Sequence, residues 1–340
     1  MPSTKVLKID ANGPDPAILS EAARIIREGG LVAFATETVY GLGADATRPE
    51  AVARIFEAKG RPPTNPLIVH VAENSDALAC VSHWPIYAET LAARYWPGPL
   101  TMVLPKSSII PAIATAGQET VGIRVPNTVV ARLLIAESGR PIAAPSANRS
   151  TGISPTTAAH VMKDLDGKVD LILDSGPTTI GIESTVLDVT EDPPRLLRPG
   201  AITREEIAGL LDVPVLPPIQ NLETHRSPGQ MNVHYSPRTP TYRLPRQGEG
   251  SVPIRGRFEL IVLGDSTGGI PVPEDEDSTV RIHRFATPKI ASRELYARLH
   301  RLDTQKLDMI LILPPPDEPQ WAAVRDRVWR ASRPWTADNE

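Results

Sequence analysis

An α/β fold over residues 1 to about 210, a proline-rich linker at 211–240 and a smaller α/β unit at 241–340 are predicted by three observations. Apolar residues at helical spacing alternate with short apolar runs of strand length through the first two hundred residues. Glycine and proline punctuate the boundaries between them. The periodicity is lost in "LDVPVLPPIQNLETHRSPGQMNVHYSP" and then resumes.

In chain order, "DPAILSEAARIIREGG" reads as a helix closed by glycine and "LVAFAT" as a strand. "ATETVYGLG" (35–43) reads as a polar loop whose glycines allow close backbone approach. "PEAVARIFEAKG" carries Val52, Ile55 and Phe56 at helical spacing, with Gly60 as its stop. In "KGRPPTNPL" (59–67) proline removes amide donors and fixes φ, so the segment is a loop of restricted shape. "PLIVHV" reads as a buried strand, and "PLTMVLP", "TVGIRVP", "VDLILD" and "STVLDVT" as further strands. A helix is expected from near Thr156. Beyond the linker, "FELIVLG", "TVRIHRF" and "KLDMILILP" read as strands and "ASRELYARLHRL" and "QWAAVRDRVWRA" as helices, a three-strand, two-helix unit.

Composition narrows the function classes. The 36 Lys and Arg against 40 Asp and Glu give a net charge of −4, which argues against bulk electrostatic binding to nucleic acid or anionic membrane. Aromatic residues make up 4% of the chain, too few for an array of base-stacking platforms. The one cysteine, Cys80, excludes an intramolecular disulfide and a cysteine-rich zinc site. No apolar run reaches the roughly 18 residues of a membrane span, so a cytoplasmic protein with no membrane partner is expected. The Walker phosphate loop, the G-x-S-x-G elbow and the H-E-x-x-H zinc helix are all absent from the sequence.

What remains is a set of polar loops at strand ends. Lys59 and Arg61 sit where a helix gives way to a strand, and read either as a solvated basic turn or as ligand-binding cations. Arg124, between Ile123 and Val125, faces either the solvent side of an edge strand or a site. "APSANRSTGISPT" (144–156) concentrates Ser146, Asn148 and Ser154, more polar groups than a helix cap requires. Thr36, Thr38 and Tyr40 follow the first strand, Ser184 stands at the start of another, and Arg198 lies between Leu197 and Pro199. Four cations among hydroxyls and an amide suit a ligand bearing phosphates, a carboxylate and hydroxyl groups, because Arg pairs with planar oxyanions and Lys acts as a point charge. ATP together with an amino acid fits that inventory.

The K-x-R of Lys59 and Arg61 and the S-x-N of Ser146 and Asn148, with "TETVYGLG", "NPLIVHV", "GIRVP", "EST" and "LRPG" in order, resemble the YrdC-like family of threonylcarbamoyl-AMP synthases over residues 15–208. The linker "SPGQMNVHYSP" and the last unit look like the long two-domain form of that family. The resemblance implies a YrdC-like twisted mixed sheet with helices, plus a small Rossmann-like α/β C-terminal domain. It implies condensation of L-threonine, bicarbonate and ATP, with Mg²⁺, to threonylcarbamoyl-AMP and pyrophosphate. The product would feed the transferase machinery that makes threonylcarbamoyladenosine in tRNA.

By the same resemblance, ATP contacts fall on Lys59, Arg61, Asn65, Thr120, Ser146, Asn148, Ser154 and Arg198, with His234 and Tyr235 from the linker. Lys59 and Arg61 are the expected catalytic pair, and threonine contacts fall on Thr38, His70, Arg124 and Ser184. His70, alone in a strand, reads from the residues themselves as a structural histidine. The linker is either a lid that excludes water or a passive tether. The alternative reading of the chain is a module that binds RNA weakly, without nucleotidyl transfer. A carbamoyltransferase of hydrogenase maturation, where a similar domain occurs, carries cysteine-rich zinc segments that one cysteine cannot supply.

Overall fold

The elements follow from local chemistry that packing then selects. Residues 3–219, 235–245, 253–254, 256–265, 272–273 and 279–336 are described by a computed structural model of the chain. The chain divides into two compact units, one of Met1–Ser150 with Ser154–Met231, the other of Thr151–Ile153 with Asn232–Glu340.

The first unit opens with β1 (Lys5–Lys8), α1 (Pro16–Arg27), β2 (Val32–Ala35), β3 (Tyr40–Asp45), α2 (Pro49–Lys59) and β4 (Ile68–His70). It continues through α3 (Asn74–Cys80), α4 (Ile86–Tyr95), β5 (Leu100–Pro105), β6 (Thr120–Arg124), α5 (Val129–Ser138) and β7 (Ile142–Ala143). It closes with α6 (Ala158–Leu165), β8 (Leu171–Asp174), β9 (Thr185–Asp188), β10 (Arg195–Arg198) and α7 (Arg204–Leu211). The ten strands form one mixed sheet in the order β1-β8-β2-β3-β7-β4-β6-β5-β9-β10.

Helix α1 shows why these segments fold as they do. Asp15 accepts the Ala17 N–H at its start, Pro16 fills the first turn, and Leu19, Ala22, Ala23 and Ile26 form its buried stripe. That stripe packs with Val130 and Leu134 of α5 in a cluster that also includes Val32 and Phe34 of β2. A larger cluster contains Val52 and Ile55 of α2, Leu91 of α4 and alternate residues of the central strands. Helix α2 ends at Gly60, whose φ of 60° is the left-handed conformation that glycine adopts without a Cβ penalty. The 61–67 segment then carries no regular structure, as its prolines require.

Two first-unit expectations change. "ATETVYGLG" is not wholly a loop, because Tyr40–Asp45 is strand β3, antiparallel to β2 and β7. Its two glycines weaken the apolar pattern that marks a strand, and long-range pairing on both sides supplies what the pattern lacks. The helix expected near Thr156 starts at Ala158, with Thr157 accepting the His160 N–H as its cap.

The second unit contains β11 (Thr241–Arg243), β12 (Pro253–Ile254), β13 (Arg257–Leu263), β14 (Val272–Pro273), β15 (Thr279–Phe285), α8 (Pro288–Leu302), β16 (Met309–Leu313), α9 (Ala322–Ala331) and β17 (Arg333–Pro334). The expected three-strand unit is corrected to a five-stranded sheet of order β15-β13-β16-β11-β17, with β12 and β14 as a separate pair. All pairings are parallel. Strands of two or three residues, one of them ending on Pro334, are too short to display a period of two.

Candidate active site

Strand pairing and loop closure bring the scattered polar residues of the first unit together. Parallel pairing of β4 and β6 sets His70 opposite Arg124, while Ile142 of β7 lies opposite His70 on its other side. Strand β6 lies inside the sheet between β4 and β5, so Arg124 is no edge residue and is only 4% exposed. Of its two sequence readings, the solvent-facing one is excluded.

Backbone hydrogen bonds fix the surrounding loops. The amides of Ile180 and Gly181 donate to the carbonyls of Glu37 and Thr38, at 2.7 and 3.1 Å. Tyr40 N–H donates to Pro155 O and Ala147 N–H to Tyr40 O, which ties the 144–156 loop to β3. Thr185 N–H donates to Pro99 O, which joins β9 to the turn before β5.

Arg124 meets three oxygen partners. Its Nε donates to Gly98 O at 3.1 Å, one terminal nitrogen donates to Thr38 Oγ1 at 2.9 Å, and the other forms an ion pair with Glu37 at 2.8 Å. Thr38 in turn shares a hydrogen bond with Thr36 at 2.7 Å. The neighbouring His70 is buried, and burial together with the Arg124 charge pushes its pKa down to about 3. The imidazole is therefore neutral at physiological pH.

A second cluster forms where β9 meets β10. Arg198 donates to Ser184 O through two nitrogens, at 3.1 and 3.0 Å, and to Ser184 Oγ at 3.1 Å. Ser184 Oγ also shares a hydrogen bond with Thr101 Oγ1 at 2.8 Å. Because Arg124 contacts Gly98 and Ser184 contacts Thr101, the turn before β5 links this cluster to the first.

The third cluster surrounds the end of α2. Lys59 Nζ donates to the carbonyls of Ser146 and Asn148, at 2.5 and 2.6 Å, and Lys59 is 3% exposed. Burial, then the Arg61 charge, pulls its pKa well below the usual lysine value, with Asp164 opposing. Arg61 donates to Asn65 O and Pro66 O at 3.1 and 3.0 Å, so it folds the proline-rich loop back on itself. The Lys59 and Arg61 pair is buried, and the solvated-turn reading is overturned. Asn65 Oδ1 is buried with no hydrogen-bond partner among the described residues. Asn148 Nδ2 donates to Arg149 O, and Ser154 Oγ donates to Glu183 at 2.5 Å.

Thr120 begins β6 at its partly exposed end, opposite Pro105 of β5. Tyr235 belongs to the second unit, where it is buried against Tyr296 and beneath the Arg327 guanidinium. His234 and most of the linker lie outside the described residues.

Thr101, Glu37 and Glu183 are buried polar members of the site that the sequence reading did not single out. Thr101 alone carried a signal, as a hydroxyl inside the apolar run "PLTMVLP". The two glutamates gave none, since their partners are distant in the chain.

Residues 24–200 match the Sua5, YciO and YrdC family model, described as telomere recombination. Residues 202–333 match the Sua5 C-terminal model, described as threonylcarbamoyl-AMP synthase, C-terminal domain. Threonylcarbamoyl-AMP synthase of Pyrococcus abyssi is 43% identical over 92% of this chain and 93% of its own. The Bacillus subtilis protein of the same name is 42% identical over 94% and 93%. The crystal structure of P. abyssi Sua5 complexed with L-threonine matches with a TM-score of 0.84 at 36% identity, covering 97% of this chain and 99% of that one. E. coli YciO, at 23% identity and a TM-score of 0.53, shares the fold over 58% of this chain and 96% of its own. With both domains matched in order and relatives aligned almost end to end, the chain belongs to the Sua5/YciO/YrdC family, in the form that carries the Sua5 C-terminal domain.

Proposed function

We propose that this chain is a nucleotidyltransferase that makes threonylcarbamoyl-AMP and pyrophosphate from L-threonine, bicarbonate and ATP, in the cytoplasm, for threonylcarbamoyladenosine in tRNA. The observation that carries this reading is the set of four buried cations, Lys59, Arg61, Arg124 and Arg198, each oriented by hydrogen bonds within one group of connected loops. Arginine pairs with planar oxyanions and lysine acts as a point charge, so four such groups gathered on connected segments suit a polyanionic substrate.

The reaction needs no protein nucleophile. Threonine's amine adds to the carbon of bicarbonate with loss of water, and an oxygen of the resulting carbamate attacks the α-phosphorus of ATP and displaces pyrophosphate. The reactants are all anionic at the reacting ends, so alignment and charge neutralisation supply most of the rate. Lys59 and Arg61 neutralise phosphates, with Asn65, Thr120, Ser146, Asn148, Ser154 and Arg198 completing the nucleotide site. Arg124 holds the threonine carboxylate, and Thr38, His70 and Ser184 surround the rest of the amino acid. A hydroxyl-reading site rejects valine because the missing hydroxyl leaves a buried polar group unpaired.

No group of three His, Cys, Asp or Glu side chains among the described residues is placed to hold a metal. Mg²⁺ would enter with ATP as part of the substrate and would supply charge neutralisation on its phosphates, to which Lys59 and Arg61 would add. The threonylcarbamoyl transferase machinery that consumes the product is the proposed downstream partner.

The test is pyrophosphate release by the purified chain with threonine and bicarbonate each present or absent. Release that requires both, and that fails in Lys59→Ala and Arg61→Ala, is expected. Release indifferent to threonine would sink the proposal.

A further inference from the structure

Glu37 has no role in the scheme above, yet it is ion-paired with the guanidinium assigned to the threonine carboxylate. Its side chain is 7% exposed and that of Arg124 is 4% exposed. Glu37 Oε2 accepts the Asn127 N–H at 3.1 Å, and Oε1 lies 2.8 Å from Arg124 Nη2. That approach is off the hydrogen-bond direction, and neither Oε1 nor Nη2 has a directed hydrogen bond, although both atoms are buried. The other Arg124 nitrogens are engaged by Gly98 O and Thr38 Oγ1.

An ion pair that only braces a core satisfies its remaining valences with directed hydrogen bonds, because each buried atom left without one costs free energy. Here the opposite holds: one carboxylate oxygen can still accept and one guanidinium nitrogen can still donate, side by side. A zwitterion complements that arrangement. The carboxylate and ammonium of an α-amino acid sit on one carbon, so they can meet a cation and an anion together only where those lie within hydrogen-bond reach of each other. We infer that Glu37 binds the α-ammonium of the amino-acid substrate while Arg124 binds its α-carboxylate. This rests on the reading that Arg124 receives the substrate carboxylate, and it restricts the substrate class to α-amino acids over hydroxy acids of the same shape. Both charge-assisted hydrogen bonds then form in directions that the free chain leaves open.

The test compares L-threonine with (R)-3-hydroxybutanoate, which is L-threonine without its amine, by calorimetric titration of the full chain. Wild type is expected to prefer threonine, and Glu37→Gln to lose about tenfold or more in threonine affinity with the hydroxybutanoate affinity unchanged. Equal losses for both ligands would mean that Glu37 only holds Arg124 in place, and no loss would mean that it is idle; either overturns the inference. If Glu37→Gln does not fold, the decisive measurement is the crystal structure of the wild-type chain with L-threonine. An ammonium within hydrogen-bond distance of the Glu37 carboxylate supports the inference, and one directed elsewhere ends it. A wild type that binds no threonine would remove the proposed function itself and this inference with it, whereas threonine binding indifferent to Glu37 removes the inference alone.

Discussion

Lys59 Nζ donates to Ser146 O at 2.5 Å across a sequence separation of 87 residues, so the end of α2 and the 144–156 loop are fastened by a single side chain. The same nitrogen donates to Asn148 O. The S-x-N segment is thus held by its backbone.

Loss of that fastening and of the charge should be severe. Lys59→Ala is expected to lower kcat/KM for ATP by about 10²–10³, the usual effect of removing one preorganised donor to a developing anion. Steady-state pyrophosphate release at varied ATP measures it. A loss below about tenfold would mean that Lys59 is chiefly structural.

Nucleotide binding should also draw in a proton. The Lys59 pKa is lowered by burial and by Arg61, so between that value and the ordinary 10.5 the free chain holds a neutral amine. A bound polyphosphate favours the charged form and raises the pKa, so protons are taken up on binding in that window. Calorimetry in buffers of different ionisation enthalpy reads the uptake, which Lys59→Met should abolish.

His70 predicts the acid limb of stability. Its pKa is about 6.5 in the unfolded chain and about 3 in the fold. The unfolded state therefore binds more protons between those values, and stability present above pH 6.5 is lost as pH falls toward 3. The slope from this group is about 1.4 kcal/mol per pH unit. Urea unfolding at pH 7.5 and pH 5 should show a shallower loss for His70→Gln than for wild type.

Two glycines should respond very differently to a methyl group. At Gly60 an added Cβ meets nothing within 4 Å, so Gly60→Ala carries only the left-handed backbone strain of about 1–2 kcal/mol. At Gly200 the Cβ would stand 2.2 Å from Thr185 N and 2.6 Å from Ser184 C, both backbone. Gly200→Ala must displace the start of β9, and with it the Ser184 carbonyl that Arg198 grips. Thermal unfolding and activity of the two variants should separate clearly, with Gly200→Ala the more damaged in both.

Much of this was legible in the sequence, for identifiable reasons. Long amphipathic segments such as α1 and α8, and apolar runs such as β2, β13 and β16, carry their period locally. The two-residue strands β7 and β17 do not, and β3 is masked by its glycines. Residue types pointed to the site, since four cations stood in or beside the ends of helices and strands among polar segments that lacked another purpose. Their burial could not be read, because whether Arg124 faces water depends on β5 and β4 flanking β6, a fact of topology. Glu37 was invisible for a related reason: a glutamate beside two threonines looks like any polar turn until the strand bearing Arg124 is laid against it.

The buried Lys59 has one more implication, for how this protein responds to selection. Burial disfavours its charged form, but an apolar residue in its place would leave the Ser146 and Asn148 carbonyls without the donor they have now. Lys59→Met is expected to melt lower than wild type and to lose turnover as well. A screen for heat tolerance alone would therefore retain this lysine, because the fold and the chemistry draw on the same nitrogen.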